Sequence, residues 1–169
     1  MAIRSNHYDV AFEEFLRQGR TPYVAVDEQR RALLRDASLK SMDFIVYSQQ
    51  RPNLLVDVKG RQFPTGGESG GHCWENWATE DDLTSLMQWE QVFGPGFRSI
   101  LVFAYHILDE RRASELGPHF EFRDRRYSFF GVWAEEYRKV MRTRSTSWET
   151  VSLPVREFRQ LCSPIHEFL

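Results

Sequence analysis

Cysteine is almost missing from this chain. Its 169 residues contain two, Cys73 and Cys162, far apart and in neither a CxxC nor a Cys/His metal spacing. That excludes a disulfide scaffold, gives no support to a zinc site, and fits a reducing cytoplasm. Long apolar runs are missing too: none approaches the ~20 residues needed to span a bilayer. The opening MAIRSNHYD has no apolar signal core, so nothing in it directs export. The expectation is a cytoplasmic protein without membrane contact. An excess of either charge is also absent. The 22 basic and 24 acidic residues leave a formal net charge of −2. This disfavours a protein that coats nucleic acid nonspecifically, yet leaves room for an enzyme with a local basic surface. The glycine-rich PTGGESGGH (64–72) lacks the Lys and Ser/Thr of a phosphate-cradling loop, and no internal repeat is present.

What remains is ample for a core. Hydrophobic residues make up 41% of the chain and aromatics 14%, and the length suits one domain spanning 1–169. Tyr8, Ala11, Phe12, Phe15 and Leu16 recur at helical spacing, predicting a helix from about Asn6 or His7 to Gln18, ended by Gly19 and Pro22. PYVAVDE (22–28) reads as a strand, EQRRALLRDA (28–37) as a short exposed helix or turn, and SMDFIVYS (41–48) as a second strand. The polar QQRPN then turns the chain into NLLVDVKG (53–60), a link short enough for an antiparallel hairpin. Beyond the glycine-rich loop, Thr79 followed by Asp82 has the form of a capping box and opens a helix from about Glu80 to Phe93. RSILVFAYHIL (98–108) and RYSFFGVWA (126–134) are apolar strands. EEYRKVMRTR reads as helical, WETVSL as a short strand and VREFRQLC as a C-terminal helix. The order predicts an α/β domain around a mixed sheet, with its core over about 6–108 and residues 109–169 as sheet extension and covering helices.

The third strand carries the anomaly. Asp57 and Lys59 lie two apart, so both share one side of the sheet with Leu55. Burying these charges costs several kcal/mol unless something compensates. If the hairpin turns around Gln50, Ile45 pairs with Leu55 and Asp43 falls opposite Asp57, on the same side. Two carboxylates across a ladder repel. A divalent cation between them removes that penalty, and magnesium favours one or two carboxylates with water and phosphate oxygens around it. Lys59, beside the ion, could orient or help deprotonate a water, or balance charge on a phosphate under attack.

An acid on one strand and Asp-x-Lys on the next resembles the PD-(D/E)XK nuclease superfamily. SMD holds the position of its first acid and DVK that of its (D/E)xK, fourteen residues apart from Asp43 to Asp57. The flanking elements resemble the family's αβββαβ core over roughly residues 6 to 108. Two departures are the lack of a proline before Asp43 and an extra segment between the first and second strands. The resemblance implies a restriction-endonuclease-like three-layer fold, a mixed central sheet flanked by helices. It implies a magnesium-dependent endo- or exodeoxyribonuclease, with manganese able to substitute, that hydrolyses phosphodiester bonds in DNA to a 5′-phosphate and a 3′-hydroxyl. On that pattern Asp43, Asp57 and the Val58 carbonyl hold the metal, and Lys59 serves the attacking water. Cutting both strands of a duplex would favour a homodimer. Resembling nucleases add an acid from the first helix, for which Asp9, at the edge of the apolar stripe, is the first choice and Glu13 the reserve. Some also place a Glu or Gln on the second helix, which brings in Glu90, four residues after Leu86.

Other readings stand beside these. Asp57 and Lys59 could form a structural ion pair at a strand end, where Gly60 signals exit towards water. Asp9 could serve as a carboxylate favoured by the helix macrodipole, and Glu90 could reach solvent or an arginine. His7 and His72 read as surface or loop histidines, with His7 near enough to Asp9 to touch a phosphate. Trp74 and Trp77 could stack on a base or pack under the glycine-rich loop. Three basic clusters (Arg30, Arg31, Arg35; Arg123, Arg125, Arg126; Arg138, Lys139, Arg142, Arg144) read as solvated faces, any of which could track a phosphate backbone. The alternative function is a catalytically inactive nuclease-like module that binds nucleic acid or a protein partner.

Overall fold

The computed structural model describes residues 6–27, 32–34, 37–66 and 71–169. Helix α1 (His7–Gln18) starts where Asn6 supplies a missing acceptor, its side chain taking the Tyr8 amide at 3.0 Å. Strand β1 (Tyr23–Ala25) follows, then a small hairpin of β2 (Ala32–Leu34) and β3 (Ala37–Leu39). This hairpin is the extra segment, and it corrects the expectation of a helix or turn there; 28–31, 35 and 36 lie outside the described residues. β4 (Phe44–Val46) and β5 (Asn53–Phe63) come next, then β6 (Ala78–Thr79) and α2 (Glu80–Phe93). The boundaries of α2 are those its sequence predicts, and Thr79 and Asp82 form the reciprocal capping box. After β7 (Phe97–Ile107) a 3₁₀ segment, Glu110–Leu116, leads to β8 (Phe120–Phe122) and β9 (Arg125–Trp133). The chain closes with α3 (Ala134–Val140), β10 (Arg142–Ser145), β11 (Thr150–Ser152), α4 (Val155–Leu161), β12 (Ser163–Pro164) and a 3₁₀ turn, Ile165–Glu167. EEYRKVMRTR is therefore helical only in its first part. Met141 is extended, and Arg142, Thr143 and Ser145 pair with β11.

The main sheet runs β1-β4-β5-β7-β9-β12, with β8 beside β9. β5 and β7 are parallel along their full lengths, joined by the α2 crossover, whereas β4–β5 and β7–β9 are antiparallel. The sheet is mixed, as expected. Alternate residues feed two cores. Leu54, Val56, Val58 and Val102 pack against Ala11, Phe12 and Leu16 of α1. Leu55, Phe63, Leu101 and Phe103 pack against Leu83 and Leu86 of α2, Tyr137 of α3 and Phe158 of α4. The result is three layers, with α1 on one face and the remaining helices on the other. β5 also runs past Gly60, contrary to the reading of that glycine as an exit. A Cβ there would lie 2.0 Å from the Tyr8 ring. Gly60 lets α1 approach the strand.

Candidate active site

Where β4 and β5 diverge, the hairpin has the predicted register. Ile45 faces Leu55 and Phe44 faces Val56, which sets Asp43 beside Asp57. The Asp43 amide donates to the Val56 carbonyl at 2.8 Å, and its carboxylate Oδ2 accepts from the Val58 amide at 2.6 Å. A ladder residue turns its amide and its carbonyl to the same neighbour. The Val58 carbonyl thus lies on the edge of β5 where the Asp43 carboxylate is anchored, while its side chain is buried on the α1 face. Both acids are 6% exposed.

Asp57 and Lys59 project together to the α2 face. The Lys59 ammonium lies 3.0 Å from Asp57 Oδ1 and 2.8 Å from Asp82 Oδ2. Asp82 Oδ1 in turn holds Lys40, a residue docked on α2 by its amide to Ser85 Oγ at 3.0 Å and by its carbonyl from Trp89 Nε1 at 2.9 Å. Asp82 Oδ2 also accepts the Thr79 amide at 2.9 Å. The chain Asp57–Lys59–Asp82–Lys40 alternates in sign, and its members titrate accordingly. Burial raises Asp57 above the usual carboxylate range, and attraction to Lys59 offsets this only in part. Burial alone would lower Lys59, but the charges of Asp57 and Asp82 outweigh it and raise the ammonium. Burial likewise works against Asp82, yet Lys59 and Lys40 together hold it well below the usual range.

Asp82 and Lys40 are the members that the sequence reading missed. The signal for Asp82 was present: it lies four residues before Leu86 and seven before Trp89, on the inward face of the helix. Glu90 is not brought to this cluster. Eight residues further along α2, about 12 Å at 1.5 Å per residue, its Oε2 accepts the Ser99 amide at 2.8 Å and fixes the start of β7. Asp9 is buried in the first turn of α1, the helix on the sheet face opposite Asp57 and Lys59. Glu13 accepts from Tyr23 at 2.8 Å and pairs with Arg17. His7 lies 2.9 Å from the Tyr127 hydroxyl, while His72 is exposed. Trp74 is buried in the core, but Trp77 carries the Arg61 guanidinium 3.8 Å from its ring. Of the basic clusters, Arg126 pairs with Glu110 and Glu121, and Lys139 with Glu135 and Glu136. Arg30, Arg31 and Arg35 lie outside the described residues.

The donors suit a small hard cation. Two carboxylates and a carbonyl offer oxygen alone, with no thiol or imidazole among them. Among the described residues no group of three or more His, Cys, Asp or Glu side chains could hold a metal, so an ion here depends on carbonyl, water and phosphate oxygens for the rest of its shell. That is the coordination magnesium accepts.

No protein-family model and no curated protein matches the chain. A solved structure does: Hjc, a Holliday junction resolvase from the archaeal hyperthermophile Archaeoglobus fulgidus, superimposes with a TM-score of 0.54 at 13% sequence identity, over 95% of this chain and 96% of that one. At this identity the likeness is one of fold. With its αβββαβ order and the Asp43, Asp57 and Lys59 arrangement at the fork of β4 and β5, the chain has a restriction-endonuclease-like fold.

Proposed function

We propose that this protein is a metal-dependent nuclease that hydrolyses phosphodiester bonds in DNA. The observation that carries the reading is the fork itself, where the Asp43 carboxylate is seated on the Val58 amide beside the buried Asp57–Lys59 pair. Asp43, Asp57 and the Val58 carbonyl would hold magnesium, or manganese in its place. When bound, the ion neutralises charge at the scissile phosphate and lowers the pKa of water. Lys59, fixed by two carboxylates, would offer its third N–H to a water or phosphate oxygen beside the fork. Asp82 and Lys40 keep that ammonium in place. The expected products are a 5′-phosphate and a 3′-hydroxyl. The fold likeness to a Holliday junction resolvase supports DNA as the substrate, and cutting both strands of a duplex would favour a pair of subunits. Free thiols at Cys73 and Cys162 support a reducing, cytoplasmic setting. Among the described residues no helix is long and apolar enough to cross a membrane.

One observation favours the second reading, an inactive module that binds nucleic acid or protein: two of the three Lys59 N–H donors are already held by carboxylates. Cleavage assays with magnesium separate the two. Asp57→Asn and Lys59→Ala should abolish metal-dependent cleavage while leaving a folded protein by circular dichroism. Persistent cleavage by the purified variants would overturn the assignment.

A further inference from the structure

The hairpin β10–β11 carries an unusual group at its tip. Trp148 is 78% exposed, although the turn that presents it is ordered. The Glu149 amide donates to the Thr146 carbonyl at 3.3 Å, the Trp148 amide donates to Ser145 Oγ at 3.4 Å, and Ser147 Oγ lies 3.1 Å from Ser145 Oγ. A large aromatic side chain held in water by a fixed turn contributes nothing to either core. Below it, Arg142, Thr143 and Arg144 are exposed. The register of β10 on β11 shifts between Thr143 and Ser145, leaving Arg144 as the extra residue. Bulges re-aim side chains, and here the guanidinium of Arg144 comes to lie 5.3 Å from the Trp77 ring. Arg61 stacks on the same indole, its terminal nitrogens donating to the Gly60 and Trp77 carbonyls. Neither Arg61 nor Arg144 has a carboxylate within ion-pairing distance among the described residues.

The hairpin is bolted to the candidate centre. Thr150 and Val151 of β11 pair with Thr79 and Ala78 of β6, and the Glu80 amide donates to the Glu149 carbonyl at 3.0 Å. That junction is the first turn of α2, which holds Asp82 against Lys59. Arg61 follows Lys59 by two residues on the same side of β5. A strip from the Trp77 indole, which carries Arg61 and Arg144 and donates from Nε1 to Glu75 Oε2 at 3.1 Å, to the aromatic tip therefore forms a rim joined to the centre.

We propose that this strip is a binding surface for DNA in which a base is unstacked, as at a fork, flap or branch. Arg144, exposed on the bulge, meets a phosphate of the strand that enters the fork, and Trp148 stacks on the exposed base. A continuous duplex offers no base face to an indole, whereas an unpaired strand offers one at every nucleotide. Arg144, exposed and with no ion-paired carboxylate among the described residues, suits a backbone phosphate. The proposal rests on the nuclease reading, since it gives that centre its substrate class.

The test is fluorescence anisotropy with the full-length Asp57→Asn protein in EDTA. The probes are a labelled blunt duplex and a fork built on the same duplex. The fork should bind more tightly than the duplex. Adding Trp148→Ala should weaken fork binding by about tenfold, a typical loss for one stacked base, and leave duplex binding within about twofold. Adding Arg144→Ala should weaken both alike and lower the salt slope by about one phosphate contact. Equal affinity of Trp148→Ala and its parent for the fork overturns the proposal, as does equal weakening on both probes. Since no cleavage is needed, the two readings fail separately. A wild-type protein that cuts DNA while Trp148→Ala binds forks normally sinks the rim alone. A Trp148-dependent fork preference in a wild-type protein that cuts nothing with magnesium or manganese supports the rim and sinks the nuclease.

Discussion

Asp57 and Asp82 both touch the Lys59 ammonium, yet replacing them should have unequal effects on stability. Asp82 is 2% exposed and holds two lysines and the Thr79 amide. Its depressed pKa means that folding favours its ionised form, so it stabilises the protein above the unfolded carboxylate pKa and loses this as pH falls through the folded one. Removing one partner of a buried pair costs about 3–5 kcal/mol. In Asp82→Asn the side chain can still accept the Thr79 amide, and Lys59 keeps Asp57, so about 2–4 kcal/mol is expected. At roughly 2–4 °C per kcal/mol for a chain of this size, the melting temperature should fall by about 5–15 °C. For Asp57 the sign differs: its pKa is raised, so folding already disfavours its charge. Asp57→Asn leaves Lys59 paired with Asp82 and should change stability by no more than about 1 kcal/mol. The assay is thermal and urea unfolding in EDTA, followed by circular dichroism. Equal losses for the two variants, or a larger loss for Asp57→Asn, would refute this division of roles.

Further expectations concern other parts of the fold. Gly60→Ala drives a Cβ into the Tyr8 ring and should cost about 1–3 kcal/mol by overpacking. Adding Tyr8→Ala should recover part of that loss in urea melts. Manganese or magnesium should raise the melting temperature of the wild type by mass action and leave Asp43→Asn and Asp57→Asn unshifted; equal shifts would remove these acids from the metal site. His7 and His106 have lowered pKa values, first through burial and then through Arg125. The unfolded chain binds their protons more readily, so the stability they contribute is present above about pH 6.5 and lost as pH falls through their folded values. A double His7→Gln, His106→Gln variant should show a shallower fall in melting temperature between about pH 7 and 5.

The parts of this structure that strand parity governs were legible in the sequence. A short polar turn and two alternating patterns set Ile45 against Leu55, and once that pair was fixed Asp43 fell opposite Asp57, on the side that Lys59 shares. Local capping chemistry placed α2 as well. Elements whose local preference is overridden by distant pairing were not legible. ALL consists of good helix formers and half of RTRS is arginine, yet the first pairs with β3 and the second with β11. Asp82 was read correctly as a cap, but nothing local to α2 shows that its carboxylate also meets lysines 42 and 23 residues earlier in the chain. Glu90 lies on the inward face, as its spacing implies. Its distance along the helix axis, which periodicity does not report, gives it to Ser99 instead. Gly60 was misread because the aromatic ring it accommodates comes from α1, far away in sequence.

The capping box at Thr79 and Asp82 also limits how this chain can vary in length. Each added or deleted residue between Thr79 and Asp82 would rotate the carboxylate by ~100° about the helix axis and swing it off the ammonium. Length changes are therefore better tolerated upstream of Trp77, in the glycine-rich connection, where neither the β6–β11 pairing nor the helix phase is at stake. A family of such chains would keep a fixed count from Trp77 to Asp82 and a variable one before it.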